Sequence, residues 1–343
     1  MRKFTWKRAA LIALCVFLSL VLMLMVAVTV YVERLTGKID RVWEDVTLSA
    51  EELEDLFSET DPTATGPTMN EEDVDWGSTG EEIIKTENVI NILLIGQDRR
   101  PGQARQRSDA MILCTVNKEK RTITLTSFMR DMYVKIPGYK NNKINASYAA
   151  GGMSLLNSTL KENFGVQVDG NVEVDFDGFM ELVDIMGGVD ITLTKAEADC
   201  LNRRGNWDVE ENQHWQLQEG LNRLNGSQAL AYSRIRYIGN GDYQRTERQR
   251  TVLTELFRQL QNMSLGQANQ LLNTAVELIS TDMTNQEIFG YAADLLPLMS
   301  GFEVITQRIP ASGTYQDKTI NGAAVLVVDF DENRALLEQT LGE

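Results

Sequence analysis

Histidine is almost absent from this 343-residue chain: His214, in EENQHWQLQEG beside Trp215, is the only one. A lone imidazole next to an indole reads as a surface or packing residue rather than a base. That argues against Ser-His-Asp and Cys-His catalysis and against a multi-histidine zinc site. Cysteine is nearly as scarce: Cys15 lies in a long apolar run, Cys114 in MILCTV and Cys200 in a helical-looking stretch. With no spacing pattern among them, buried thiols are expected and a structural disulfide is not. There is no G-x-x-x-x-G-K-[ST] loop and no G-x-G-x-x-G fingerprint, so nucleotide binding has no motif behind it. Positive charge is also short, with 33 Lys and Arg against 49 Asp and Glu and a formal net charge of −16. Nonspecific nucleic-acid binding, which depends on widespread basic contacts to phosphates, is a poor fit, and no nucleic-acid partner is expected.

What the sequence does contain begins with Ala9–Val32, AALIALCVFLSLVLMLMVAVTVYV, a run without a charged residue. At helical rise it is long enough to cross a hydrocarbon core of roughly 30 Å. Arg2, Lys3, Lys7 and Arg8 precede it and Glu33 and Arg34 follow, so residues 1–8 are expected in the cytoplasm and everything after the run outside the cell. A cleaved signal peptide is the competing reading, but the run is longer than an h-region and ends in VAVTVYVERL, without a clear A-x-A-like site. A single-pass signal-anchor is therefore expected over 9–32.

Residues 33–86 are rich in acid, and EELEDLFSETDPTATGPTMNEEDVDWGSTGEE reads as an extracellular solvated linker, with a short amphipathic helix near Leu53, Leu56 and Phe57. At Asn88 the texture changes. NVINILLIGQD, DAMILCTVN and TITLTSF are short apolar, β-branched runs that predict buried strands. Helical patterns follow at about 145–163, 177–186, 226–234, 243–262, 264–279 and 285–298. A strand pair is expected at NVEVDF and VDITL, and a last strand and helix in AVLVVDFDENRALLEQTL. The alternation predicts one α/β domain over 87–343, an α-β-α sandwich with a central mixed sheet.

Within that domain the candidate chemistry is carried by carboxylates and arginines. Asp98 follows ILLIGQ and Asp109 opens DAMILCTV, so neighbouring strands could bring both to one sheet edge. Two carboxylates with phosphate oxygens would suit Mg²⁺, although ordinary loop-end aspartates have the same spacing. Arg130 and Asp131 end TLTSFMRD, where a solvated ion pair is the plain alternative. Lys143 and Asn145 in NNKINASYAAGG precede a helix, where the lysine could hold a phosphate and helix capping by Asn145 is the plain alternative. The densest signal is YSRIRYIGNGDYQRTERQR, residues 232–250. Arg234 and Arg236 are expected to alternate on an extended segment, and Arg245 and Gln249 to share one helical face with Arg248 a turn from Arg245. A solvated helix would pair its arginines with acids, and only Asp242 and Glu247 are close. The cluster therefore reads as an anion site, a task suited to the permanently charged, planar guanidinium.

The ordered segments NILLIGQDRR, RSDAMIL, SFMRDMYVKIPGY, KINASYAAGG, VDFDGFMELVDIMGGVDI, LNGSQALAYSRIR and DYQRTERQR resemble the LytR-CpsA-Psr family of membrane-anchored cell-wall glycopolymer ligases. The resemblance covers residues 88 to 343 and departs from the family at Phe128 and Met129, where Ile-Pro is usual. It implies a phosphotransferase that takes a glycan from a polyprenyl-pyrophosphate carrier and joins it through a phosphodiester to a peptidoglycan acceptor. Motif by motif it implies Asp98 and Asp109 as ligands of Mg²⁺, or of Mn²⁺ in its place. Arg107, Arg130, Arg234, Arg236, Arg245 and Gln249 would hold the pyrophosphate, and Arg99, Lys143, Asp242 and Arg248 would contribute to substrate binding. It further implies an apolar tunnel for the polyprenyl chain, between the sheet and helices such as 153–163 and 177–186. Two alternatives stay open on the residues alone: a hydrolase releasing the glycan phosphate to water, and a non-catalytic membrane-anchored binding or regulatory protein.

Overall fold

The computed structural model describes residues 31–41, 48–61, 64–78, 86–97, 106–203, 215–295 and 301–342, apart from the single positions 32, 35, 59 and 87. The apolar run 9–32, except Tyr31, lies outside the described residues, as do Asp98, Arg99 and His214. Among the described residues no helix is long and apolar enough to cross a membrane.

The apolar runs do form a sheet. Its seven strands are β1 (Asp40–Arg41), β2 (Val89–Gln97), β3 (Ser108–Asn117), β4 (Thr122–Phe128), β7 (Gly170–Asp175), β10 (Ser280–Thr281) and β11 (Glu303–Ile309), in the order β1-β10-β7-β2-β3-β4-β11. β7 runs parallel to β2 and β11 parallel to β4, whereas β3 is antiparallel to both its neighbours, so the sheet is mixed. Three small pairs surround it: β5 (Tyr133–Val134) with β6 (Asn142–Lys143), β8 (Val189–Leu193) with β9 (Gly220–Leu224), and β12 (Tyr315–Ile320) with β13 (Ala323–Val328).

The strands are apolar on both faces because both are covered. Leu93, Ile95, Met111 and Leu113 face a core completed by α2 (Ile144–Phe164) and α9 (Phe330–Leu341), with Leu156, Leu160, Phe164 and Leu337 fully buried. Ile112, Cys114, Ile123 and Leu125 face the other way, towards Leu94, Leu253 and Phe257, the last two on the long helix α6 (Asp242–Gln261). A lateral core joins α3 (Phe176–Ile185), α4 (Lys195–Leu201) and α5 (Gly226–Arg234) to the β8–β9 arm. α2, expected as one uninterrupted helix, is kinked at Gly151–Gly152, where Gly152 has φ +61°, a conformation that β-carbons disfavour. Cys114 and Cys200 are both buried and form no disulfide with each other.

Several expectations need correction. NVEVDF and VDITL do not pair with each other: β7 enters the main sheet between β10 and β2, and β8 pairs antiparallel with β9. VDITL alternates buried and exposed along its length, as suits an arm with one wet face. The edge strand β11 was not anticipated, because EVITQRI is too polar to read as buried. Phe128 and Met129, the departure from the family pattern, both pack in the main core, where Phe128 lies 5.6 Å from Phe164.

The acidic stretch 33–86 is more than a spacer. Its helix α1 (Ala50–Ser58) packs Leu56 and Phe57 against the main core. Val74 is buried, and the Trp76 ring lies 5.9 Å from Tyr133 and 5.7 Å from Phe330. Burial of these few apolar side chains holds a largely polar segment on the domain.

Candidate functional site

At the end of the sheet where β2 and β7 finish, a cavity of about 390 Å³ opens between the sheet and helices α3, α5 and α6. Its inner wall is apolar: Leu94 and Ile112 from the sheet, Phe176 and Phe179 from α3, Leu230 from α5, Val252 and Leu253 from α6. Its mouth carries Asp109, Arg130, Arg234, Arg236, Arg245 and Gln249. α6 alone shows how the sequence builds this gradient. Arg245 and Gln249 occupy its first turns and Val252 and Leu253 the next turn of the same face, so one helix supplies a cationic rim and a greasy wall. The helix starts at Gly241, φ +59°, and its N-terminus adds a partial positive charge beside the arginines.

Asp109 owes its place to a β-bulge. Gly96 pairs with Ala110 but Gln97 with Ser108, so Asp109 is the unpaired residue, and both it and Ala110 line the cavity. A bulge of this kind re-aims one side chain and is common beside active sites.

Two carboxylates hold three guanidinium groups together. Asp109 Oδ1 lies 2.7 Å from Arg130 Nη1 and 3.6 Å from both Arg236 Nη2 and Arg245 Nη1. Asp242 Oδ2 lies 3.1 Å from Arg130 Nε and 3.2 Å from Arg245 Nη2, and its Oδ1 lies 3.4 Å from Arg236 Nε. Asp131 bridges Arg130 Nε, at 3.5 Å, to Lys143 Nζ, at 3.1 Å. Arg234 stacks over the Phe176 ring at 4.7 Å, which joins the rim to the apolar wall.

Among the described residues, five cations therefore face Asp109, Asp131 and Asp242, with Asp175, which caps α3, a fourth carboxylate on the cavity wall, and the excess positive charge has physical consequences. Burial pushes the Asp242 carboxyl up, but Arg245, Arg130 and Arg236 together outweigh this and hold it below the usual range. Burial also pushes Arg245 down, and the neighbouring Arg130 adds to the effect, bringing it to about 10. The Arg245 side chain is 3% exposed, and its Nε is buried without a hydrogen-bond partner. A desolvated guanidinium with a spare donor and too few acids is a site that an anion would complete.

The sequence-predicted residues thus separate into groups. Asp109, Arg130, Arg234, Arg236, Arg245 and Gln249 come together at the cavity, Asp242 binds three of them, and Lys143 joins through Asp131. Arg107 is not on the cavity wall; its Nη2 donates to the Leu56 carbonyl of α1, 3.0 Å away. Arg248 points to the lateral core, where Nε lies 2.8 Å from Glu197 Oε1 and Nη1 donates to the Ile235 carbonyl at 3.0 Å. One helical turn does not put it on the Arg245 face, and it is the buried partner of an acid. Asp98 and Arg99 lie outside the described residues. Two local details also differ. α5 runs through Arg234 and is capped by Ile235, so Arg234 is helical and Arg236 lies beyond the helix. Asn145 sits inside α2, whose N-cap is Lys143, and is not the cap.

The apolar space matches its expected place in part: α3, the helix expected at 177–186, walls the cavity together with α5 and α6, whereas residues 153–163 of α2 pack in the core on the opposite face of the sheet. Tyr237 at the rim and the wall residues Val252 and Leu253 were missed, although the spacing of Val252 and Leu253 from Arg245 and Gln249 on one helix was a usable signal.

An α/β domain with a cationic mouth over an apolar cavity defines a class of protein suited to amphiphilic anions, with a charged head and a long hydrocarbon tail. Within that class the chain belongs to the LytR_cpsA_psr family, whose model matches residues 52–341. It is 30% identical over 280 residues to Biofilm regulatory protein A of Streptococcus mutans, an alignment covering 75% of this chain and 64% of the relative, so the chain spans less than two thirds of that protein. It is 30% identical over 244 residues to the polyisoprenyl-teichoic acid–peptidoglycan teichoic acid transferase TagU of Bacillus cereus, covering 70% of this chain and 75% of TagU. Among solved structures, the family protein YwtF (TagT) with bound octaprenyl pyrophosphate lipid has the same fold, with a TM-score of 0.58 at 24% identity over 79% of this chain and 99% of that one.

Proposed function

We propose that this chain is a phosphotransferase, anchored in the cell membrane by residues 9–32 with its domain outside, that moves a glycopolymer phosphate from a polyprenyl-pyrophosphate carrier to peptidoglycan. The observation that carries the reading is the single cavity in which Arg130, Arg234, Arg236 and Arg245 rim an apolar wall. A pyrophosphate head would meet the guanidinium groups while the first isoprene units of its tail lie against Phe176, Phe179, Leu230 and Val252. The named activity of TagU and the named lipid of YwtF support this assignment.

In the transfer, an acceptor hydroxyl oxygen bonds to the glycan-side phosphorus as its proton passes to solvent water, the bridging P–O bond breaks, and polyprenyl phosphate leaves with the bridging oxygen. Negative charge moves onto that leaving phosphate. Arg130, Arg236 and Arg245, already fixed by Asp109 and Asp242, stabilise it without reorganising. No imidazole is needed for this stabilisation. Asp242, depressed by its arginines, is too weak a base to take the hydroxyl proton and acts by positioning them.

Among the described residues no three acids gather as a metal site, and Asp109 already meets Arg130, Arg236 and Arg245; a hard divalent ion would enter this mouth with the phosphates that bring its remaining oxygens. Asp109, with Asp98 beyond the described residues, would hold Mg²⁺, or Mn²⁺ in its place, with water and phosphate oxygens completing the shell. Such an ion supplies charge neutralisation at the phosphates. The test is to incubate full-length protein in nanodiscs with a short-chain polyprenyl-pyrophosphate glycan and peptidoglycan fragments, and to analyse the products by mass spectrometry. A phosphodiester conjugate that disappears with EDTA and in Arg245→Ala is the expected result. Release of sugar phosphate in the presence of acceptor would instead identify a hydrolase, and tight carrier binding without any product would identify a non-catalytic binder.

A further inference from the structure

The proposed chemistry makes no use of helices α7 (Leu265–Ala275) and α8 (Asn285–Leu295). α7, LGQANQLLNTA, sets Ala268, Leu271, Leu272 and Ala275 along one face at helical spacing and carries no charged residue. No described residue of either helix is buried. Leu272 is 48% exposed and Phe289, on α8, 47%. One exposed leucine needs no explanation, but two successive helices in which none of the described side chains is buried do.

Their place in the fold identifies what covers them. Tyr31 stands at the end of the apolar run, and its hydroxyl accepts a hydrogen bond from Asn273 Nδ2 of α7 at 3.1 Å. The residues that follow stay with the same region. Lys38 Nζ lies 2.6 Å from Glu277 Oε1, β1 pairs with β10, and Arg41 donates to the Met283 carbonyl and to Asn285 at the start of α8. A tyrosine that closes a membrane span sits at headgroup level. A side chain hydrogen-bonded to it lies at the same depth.

We propose that α7 and α8 form a bilayer-docking face, with Leu272 and Phe289 inserted at the boundary between headgroups and acyl chains. This rests on the membrane-anchored reading given above. The face adjoins the cavity: α3, which contributes Phe176 and Phe179 to the wall, packs so closely on the segment after α7 that a β-carbon at Gly178 would lie 2.8 Å from the Leu278 carbonyl oxygen. A domain seated this way holds the cavity wall beside the lipid, so the tail of a carrier stays close to hydrocarbon throughout transfer.

The test uses full-length protein in phosphatidylglycerol–phosphatidylcholine nanodiscs, spin-labelled on single cysteines introduced by Leu272→Cys and Phe289→Cys in a Cys15→Ser chain. Leu221→Cys, on the exposed β9 arm, is the aqueous control, and the natural Cys15 reports on the apolar run itself; Cys114 and Cys200 are buried. Labels at 272 and 289 are expected to collide with oxygen and to be protected from a water-soluble nickel complex, the reverse of the label at 221. Nickel access at 272 and 289 equal to that at 221, with Cys15 in lipid, would overturn the docking face and leave the anchor intact. Nickel access at Cys15 would overturn the anchor and the docking face together. Shielding of 272 and 289 from both reagents, or dipolar broadening between labels, would show a protein or a second copy on this face and would also overturn it.

Discussion

Arg130 and Asp242 are 112 residues apart in sequence and 3.1 Å apart in space, Nε to Oδ2, joining the end of β4 to the first turn of α6. The same guanidinium reaches Asp109 on β3 through Nη1 at 2.7 Å, so one side chain fixes the position of both carboxylates. Burial alone would lower Arg130, but Asp131, Asp242 and Asp109 together hold it above its ordinary value. It is the member of the cluster that sets its geometry.

Arg130→Ala is expected to lower the rate of transfer by about 100-fold or more, as loss of a fixed charge-stabilising donor does elsewhere, while the thermal midpoint changes little. Arg130→Lys keeps the charge but cannot span Asp109 and Asp242 together, and should recover only a small part of the rate. Product formation from a lipid-linked glycan, measured beside the unfolding midpoint of each variant, checks both. Near-normal rates in Arg130→Lys would mean that charge alone suffices and the fork is dispensable.

Arg248 should behave in the opposite way. Its ion pair with Glu197 is buried, so Arg248→Ala strands a carboxylate and is expected to cost about 3–5 kcal/mol of stability, while the folded fraction keeps its cavity. Burial pushes the Glu197 carboxyl up, but hydrogen bonds from Arg248 and Thr194 outweigh this and hold it below 4.5. A group depressed in the folded state contributes stability that is fully present above its unfolded pKa and is lost as pH falls through the folded one. Stability measured by urea titration should therefore decline below about pH 4.5 in the natural chain. It should decline less steeply in Glu197→Gln, and identical acid slopes would remove Glu197 from the account.

The contrast between these two arginines shows how far the sequence could be read. The strands β2, β3 and β4 were legible because each is a short β-branched run, and Arg245 with Gln249 because four residues make one helical face. Arg248 was not, because its distance from Arg245 along the helix says nothing about which neighbour faces it, and Glu197 comes from another helix. The position of Asp109 depends on a bulge opposite Gly96, which no periodicity announces. The side of the sheet that holds the cavity was illegible too. Leu156 and Leu160 of α2 and Val252 and Leu253 of α6 are equally apolar, and only the packed structure shows which set closes up and which leaves space.

The segment before β2 gives a prediction about stability alone. Trp76 packs against Tyr133 and Phe330 and carries Lys135 Nζ 5.1 Å from its ring centre. Trp76→Ala is expected to lower unfolding free energy by about 2–3 kcal/mol, less than a full core truncation because the ring is only partly buried. A denaturant titration of the variant checks this, and a change below about 0.5 kcal/mol would return the acidic stretch to the role of a solvated spacer.

The apolar wall offers the sharpest separation of binding from chemistry. Leu230 faces the cavity from α5, away from the Asp109–Arg130–Asp242 cluster, and is only partly buried, so a larger side chain there has room to project into the cavity without displacing core. Leu230→Trp should fill part of the space against Phe179 and Val252 and weaken a long-chain polyprenyl pyrophosphate by about tenfold or more, a loss of about 1.4 kcal/mol. Inorganic pyrophosphate, which has no tail to exclude, should bind the variant as it binds the natural chain. Equilibrium titration of both ligands measures the two effects. If the wall receives the tail, the ratio of their affinities changes with this one substitution. If both affinities fall together, Leu230 supports the arginine rim instead, and the tail lies elsewhere.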